Sequence, residues 1–233
     1  MRLAEEFREI IGHLKKRMMA NMEMGLDPPT LSPSTLNYLQ TGSSHLGSLK
    51  DLRGHLGDCK RCKLCHGRSN LVFGEGAHEA RLVFVGEGPG REEDLEGKPF
   101  VGEAGRLLDR IITAMGLTRE AVYICNVVKC RPPDNRDPES DEIEACIPFL
   151  KRQLALIRPE VICALGRVAV QALLGKNFKI TRERGKWLSF MDIPLMPTYH
   201  PAYLLRNPSA KRQVWGDVQE IMKRMGLEVK KDG

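Results

Sequence analysis

A rhythm in the sequence constrains the fold more than any single motif. From Arg81 onward, apolar runs of strand length alternate with longer segments of helical period. The run 81-RLVFVGE-87 precedes a segment from about Glu103 to Met115 in which Ala104, Leu107, Leu108, Ile111, Ile112 and Met115 form one apolar stripe, closed by Gly116. VYICNVV at 122–128 leads through a proline-rich loop to a helix near 139–157, with Asp137 expected as N-cap and Pro138 in the first turn. EVICALG at 160–166, a helix near 167–174, strands around 187–191 and 194–199 and a helix near 208–225 complete the series. Parallel strands need crossover segments of this length, so the alternation implies an α/β fold with helices on both faces of a mostly parallel sheet. In such sheets ligands gather beyond the carboxyl ends of the strands. Those ends carry 86-GEGPG-90, Asn126 and His200, three points far apart in sequence.

Before the rhythm begins, the chain reads differently. Residues 1–20 place Leu3, Phe7, Ile10, Leu14 and Met18 at helical spacing, with acids early and Lys15, Lys16 and Arg17 late, which suits an amphipathic helix and its dipole. Residues 25–48 are dense in Pro, Ser, Thr and Gly and read as a linker. The expected organisation is an appendage over 1–48 and a main domain over 49–233, and a chain of 233 residues with 42% hydrophobic content can build one core of that size. No apolar run approaches the roughly 20 residues of a membrane span, and the first segment lacks the apolar centre of a signal peptide, so a cytoplasmic protein is expected. The formal charge of +6 favours a polyanionic partner such as nucleic acid.

Seven cysteines, an odd number with no secretory signal, argue against a disulfide framework. Cys59 and Cys62 form a C-x2-C pair, and Cys130 and Cys146 are separated by fifteen residues. Four thiolates can close a tetrahedral zinc site or hold an iron–sulfur cluster, and spacing alone fits either, or a set of unligated buried thiols. Cys65, three residues after Cys62, is an alternative ligand. Cys125 and Cys163 lie inside apolar strands, where a small buried side chain is expected.

The stretch 86-GEGPGREEDLEGKPF-100 is not a common phosphate cradle. A dinucleotide fingerprint starting at Gly86 would need glycine where Arg91 stands, and a P-loop ending at Gly97-Lys98 would begin at Glu92 and continue into Pro99. Its acids would repel a triphosphate. Bare backbone at a strand end instead suits close approach of a flat, neutral ligand.

Taken together, VGEGPGREEDLEGKPFVGEAGRLLDRII, NVVKCRPPDNRDP and HPAYLLRNP resemble the three motif regions of family 4 uracil-DNA glycosylases, in order and over about Asp58 to Met225. The resemblance implies a three-layer α/β/α fold with a central, mostly parallel four-stranded sheet. It implies a [4Fe-4S] cluster on Cys59, Cys62, Cys130 and Cys146, with neighbouring Lys60, Arg61, Lys63, Lys129 and Arg131 matching its negative charge. By the same motifs, Asn126 would read the edge of a flipped uracil, Phe100 would stack on its ring and His200 would donate to O2 as the base departs. Glu93 would position the attacking water, Glu87 and Gly88 would line the pocket, and Leu204 would be the wedge that fills the vacated stack. Gly88 replaces the catalytic aspartate of other uracil glycosylases. NVVKCRPPDN runs without the Arg-rich insertion of a related group that traps abasic DNA covalently, so turnover is expected.

The implied activity is that of a monofunctional, monomeric glycosylase that hydrolyses the N-glycosidic bond of uracil in single- or double-stranded DNA. It would leave an abasic site and initiate base excision repair without a divalent metal. Residues 1–48 would be free to contact a replication or repair protein. Two other classes remain open at the level of sequence: an iron–sulfur redox or electron-transfer protein, and a DNA-binding homologue acting on a different damaged base.

Overall fold

A computed structural model of the chain describes residues 47–175 and 178–228, with isolated helical positions before them. The chain divides into two compact units, Met1–His45 and Leu46–Gly233. The helix expected over 1–20 and the linker that follows fall largely outside the described residues.

In the second unit the elements run α1 (Leu49–Leu56), β1 (Glu75–Gly76), β2 (Leu82–Gly86), α2 (Arg91–Glu96), α3 (Glu103–Ala114), β3 (Tyr123–Asn126), α4 (Ser140–Ile157), β4 (Val161–Leu165), α5 (Gly166–Leu174), α6 (Ile180–Glu183), β5 (Leu188–Phe190), β6 (Ile193–Thr198), α7 (Pro201–Arg206) and α8 (Lys211–Arg224). The sheet order is β1-β3-β2-β4-β6-β5. Strands β3, β2, β4 and β6 are mutually parallel, as the alternation implies. Two short antiparallel edges, β1 and β5, widen the expected four strands to six.

Strand periodicity sorts the core into two layers. Val83 and Val85, Tyr123 and Cys125, Ile162 and Ala164, and Leu195 point to one face, where α1, α4 and α5 cover them. Leu82 and Phe84, Ile124, Cys163 and Leu165, and Met196 point to the other, against α3 and α8. Successive strand residues alternate faces, so a strand buried on both sides must be apolar throughout. Every residue of β2 and β4 is buried. Each fully buried Leu, Ile or Phe contributes roughly 1.5–3 kcal/mol. Cys125 and Cys163 are buried within these layers at 0% exposure, in keeping with the packing role expected for them.

One local expectation is corrected. The N-cap of α4 is Glu139, not Asp137; Glu139 N–H donates to Glu142 Oε2 at 2.7 Å and Glu142 in turn takes a bidentate ion pair from Arg136. The acidic stretch after Gly90 is the helix α2, whose N-terminus favours the carboxylates of its first turn. No helix among the described residues is long and apolar enough to cross a membrane.

Candidate active site

Beyond the carboxyl ends of β2, β3 and β6 lies a cavity of about 450 Å³ walled by Glu87, Gly88, Glu93, Phe100, Asn126 and His200, among others. Six of the seven catalytic, pocket and wedge positions expected from sequence therefore converge on one space. Parallel registry explains part of this: Gly86 sits beside Asn126 in the β2–β3 ladder. A Cβ on Gly86 would stand 2.4 Å from Asn126 Oδ1 and 2.5 Å from Phe100 Cζ. Only a bare strand end lets the amide and the ring pack there.

Asn126 is 1% exposed, and its Oδ1 is a buried acceptor with no hydrogen-bond partner. Such an orphan is costly, about 1–3 kcal/mol, unless a ligand donor completes it. Its backbone is fixed from behind: buried Lys129 donates through Nζ to Asn126 O at 2.7 Å and to Gln153 Oε1 at 2.6 Å, anchoring the strand end to α4. Lys129 thus serves a backbone contact in addition to any charge matching near the cysteines.

His200 is the N-cap of α7, and its Nδ1 accepts from Ala202 N–H at 3.1 Å. An imidazole nitrogen that accepts carries no proton, so the ring's proton is on Nε2. Burial pushes the imidazole down to about 4, against the opposing pull of the Glu93 carboxylate. His200 is therefore a neutral donor at physiological pH. Its ring stacks on Phe100 with centroids 5.5 Å apart.

Glu93 is held firmly. Oε2 accepts from Gly90 N–H at 3.0 Å, and Oε1 accepts from Val101 and Gly102 N–H, both at 2.9 Å. A carboxylate offers about four lone-pair sites, so one remains on Oε2. Glu87 has a different environment. Burial, the neighbouring Asp137 carboxyl and a hydrogen bond to it push Glu87 up to about 7, while Arg167 pulls the other way. The sign follows: a carboxyl raised from 4.5 favours the folded state below its unfolded value, and that contribution is lost as pH rises through 7. Glu87→Gln is expected to gain stability over wild type between pH 5 and pH 8, by about 1–2 kcal/mol after discounting for solvent reaching the group. Thermal melts across that range provide the check.

Leu204 does not join the cavity. It is 1% exposed and packs in the layer formed with α3 and α8, so it cannot enter a duplex without leaving the core. The side chains that α7 presents to solvent are Tyr203, Leu205 and Arg206, the two apolar ones 37% and 38% exposed, and Tyr203 borders the cavity.

Cys130, on the β3–α4 loop, and Cys146, on α4, lie close enough to the C-x2-C pair for their charges to interact. Cys130 and Cys146 are buried and Cys59 and Cys62 partly buried. Each of the four sulfurs has its own N–H donor: Arg61 Nη1 to Cys59 at 3.3 Å, Leu64 N–H to Cys62, Arg68 Nη1 to Cys130 at 2.9 Å and Lys129 N–H to Cys146. Donors of this kind suit sulfur that carries negative charge. Burial raises the Cys62, Cys130 and Cys146 thiols, and mutual repulsion among the cysteines adds to it. Among the described residues, no three His, Cys, Asp or Glu side chains close to single-ion distance. Of the basic neighbours expected from sequence, only Arg61 reaches a sulfur with its side chain. Lys60 pairs with Asp58, Lys63 with Glu139 and Asp141, and Arg131 with Asn135. Arg68, six residues past the C-x2-C pair, carries no local signal of its role.

A family model described as the uracil DNA glycosylase superfamily matches residues 73–219. A type-4 uracil-DNA glycosylase from Sulfurisphaera tokodaii is 47% identical over 185 residues, 76% of this chain and 84% of that protein. Proteins of the same description from Saccharolobus solfataricus and Thermotoga maritima are each 49% identical, over 70% of this chain and 80% and 86% of their own lengths.

Proposed function

Because this chain belongs to the uracil-DNA glycosylase superfamily, and within it to the type-4 family, we propose that the cavity receives a uracil flipped out of DNA and that water displaces it from the sugar. The enzyme is a uracil-DNA glycosylase, a hydrolase of N-glycosyl bonds acting in base excision repair. The observation that carries the reading is the orphaned Asn126 Oδ1. Uracil N3–H supplies the missing donor and O4 accepts from Asn126 Nδ2, whereas cytosine presents the opposite polarity at both atoms.

The remaining groups follow the charge. As the C1′–N1 bond breaks, its electron pair moves onto uracil, and the neutral His200 Nε2–H donates to O2 where that charge collects. Water forms the new bond to C1′ and passes a proton toward the free lone pair of Glu93. The three backbone donors on that carboxylate fix its aim. Phe100 covers the ring, while Glu87 and Gly88 line the sugar side. The exposed pair Tyr203 and Leu205, in place of Leu204, is the apolar surface offered to the gap in the duplex.

The four cysteines fit a [4Fe-4S] cluster held by Cys59, Cys62, Cys130 and Cys146. A C-x2-C pair joined by two further sulfurs from distant segments, with Arg61 and Arg68 donating to two of the four, suits an anionic cluster. The cluster would cross-link the α1 side of the chain to the loop that ends in Pro132 at the cavity wall. Residues 1–48, as a separate appendage, would leave the glycosylase domain a monomer with a segment available to a repair or replication partner.

The test is a labelled oligonucleotide carrying one uracil, incubated in excess EDTA and then treated with alkali. Breakage that depends on alkali, at least tenfold slower for His200→Ala, is the expected result. No breakage by protein whose cluster absorbance is intact overturns the uracil reading.

A further inference from the structure

Phe100 is held in a conformation that its own chemistry disfavours. Its φ is 52°, in the left-handed region that bulky L-residues seldom occupy. The ring is nonetheless 5% exposed and packed against Gly86 and His200. Something outside the residue must hold it there.

Two features do. A Cβ on Gly105 would stand 1.9 Å from Phe100 O, so the first turn of α3 is bare where the Phe100 peptide crosses it. Arg119, on the turn after α3, donates through Nη2 to Pro99 O at 2.5 Å and through Nη1 to Phe100 O at 3.2 Å. The same guanidinium reaches Asp109 Oδ1 at 2.7 Å and Glu75 Oε2 at 3.3 Å. A planar fork of five donors can bridge two successive carbonyls and two carboxylates together, which a lysine ammonium cannot. From the other side, Glu93 takes the next two amides, Val101 and Gly102. Carbonyls 99 and 100 and amides 101 and 102 are thus gripped by opposite charges. Arg119 is not among the residues that wall the cavity.

We propose that Arg119 is a positioning residue for base capture: by clamping the Pro99 and Phe100 carbonyls it fixes the ring on which the flipped base stacks. The inference rests on the reading of the cavity as a uracil pocket. Its loss weakens capture and leaves the bond-breaking step intact, because Arg119 bonds to Pro99, Phe100, Asp109 and Glu75 and not to Asn126, His200 or Glu93.

Single-turnover excision compares wild type, Arg119→Gln, Phe100→Ala and the double variant. Arg119→Gln is expected to raise the enzyme concentration for half-maximal rate at least tenfold, with the saturated rate within threefold of wild type. In the Phe100→Ala background the same change should have less than a twofold effect, since the ring it positions is gone. Arg81→Gln serves as a control: Arg81 also bridges a carboxylate and a carbonyl, Glu160 and Met225, away from the cavity, and its loss should leave both constants unchanged. Additive losses, or an equal fall in the saturated rate, overturn the proposal. A second readout does not depend on activity. Fluorophenylalanine placed at position 100 should give one sharp 19F line in wild type and a broadened or split line with Arg119→Gln; an unchanged line overturns the clamp even if uracil is not the substrate. If Arg119→Gln does not fold, Arg119→Lys retains the charge for Asp109 and Glu75 while removing the fork, and the same outcomes apply.

Discussion

Replacing Asn126 with alanine is expected to slow uracil excision by about 10²–10³-fold, or about 3–4 kcal/mol of transition-state stabilisation, while thermal unfolding stays within a few degrees of wild type. The two halves of this result belong together. A buried asparagine kept for structure has its oxygen satisfied inside the protein, and removing it orphans a partner. Here Oδ1 has no partner in the free protein, so the fold gives up nothing at that atom. The contact that Lys129 makes is to the Asn126 backbone carbonyl, which alanine retains. The substrate bears the loss instead: with the carboxamide gone, uracil N3–H and O4 enter the cavity without their partner. Single-turnover kinetics and a thermal melt on the same preparation separate the readings. A large fall in melting temperature with near-normal excision per folded molecule would make Asn126 a structural residue and remove the observation on which the uracil assignment stands.

What could be read in advance follows from which interactions are local. β2 and β4 are apolar along their whole length because both faces are covered, so their runs stood out in the sequence. β1 could not be foreseen: it is two residues long and pairs with β3 through backbone, at Gly76, where a Cβ would meet Val122 O at 1.9 Å. The motif register placed Glu87, Gly88, Glu93, Phe100, Asn126 and His200 on one cavity because the ends of β2, β3 and β6 gather there, together with α2 and the turn after it. It failed for Leu204, since the side of α7 that faces α3 and α8 is decided by packing between distant segments. Arg68 and Arg119 escaped for the same reason. Their partners Cys130 and Glu75 lie 62 and 44 residues away in sequence. Nothing near an arginine announces which distant carbonyl or sulfur it will reach. Asp137, taken from sequence for a helix cap, is instead the neighbour that raises Glu87, because Glu139 closes the helix with a capping partner of its own.

Loss of a ligand to the proposed cluster is expected to have the other large effect: Cys130→Ala or Cys146→Ala should remove the iron–sulfur absorbance, lower the melting temperature by at least 10 °C and abolish excision. Structural metal sites of thiolates are worth on the order of 10 kcal/mol, comparable with the whole 5–15 kcal/mol margin of a domain. The polypeptide around the site offers little to replace it. Between α1 and β1 the regular structure is one 3-10 turn, Lys63–His66, and the buried apolar residues are Leu64, Val72 and Phe73. Losing the sulfur cross-link would also free Arg68, whose side chain is held between Cys130 and Asp58. The chain from Cys130 into Pro132 would lose its tether, and with it a wall of the cavity. α1 would remain docked, because Leu49, Leu52 and Leu56 bury themselves in the layer that Phe149, Leu150 and Leu154 of α4 also fill. Proteolysis should therefore open first around 57–68 and only later at α1. Cys65→Ser separates the ligand sets: retained absorbance and excision assign the site to Cys59, Cys62, Cys130 and Cys146. Loss of absorbance in Cys65→Ser, with the cluster surviving in Cys59→Ser or Cys62→Ser, would place Cys65 in the coordination shell instead.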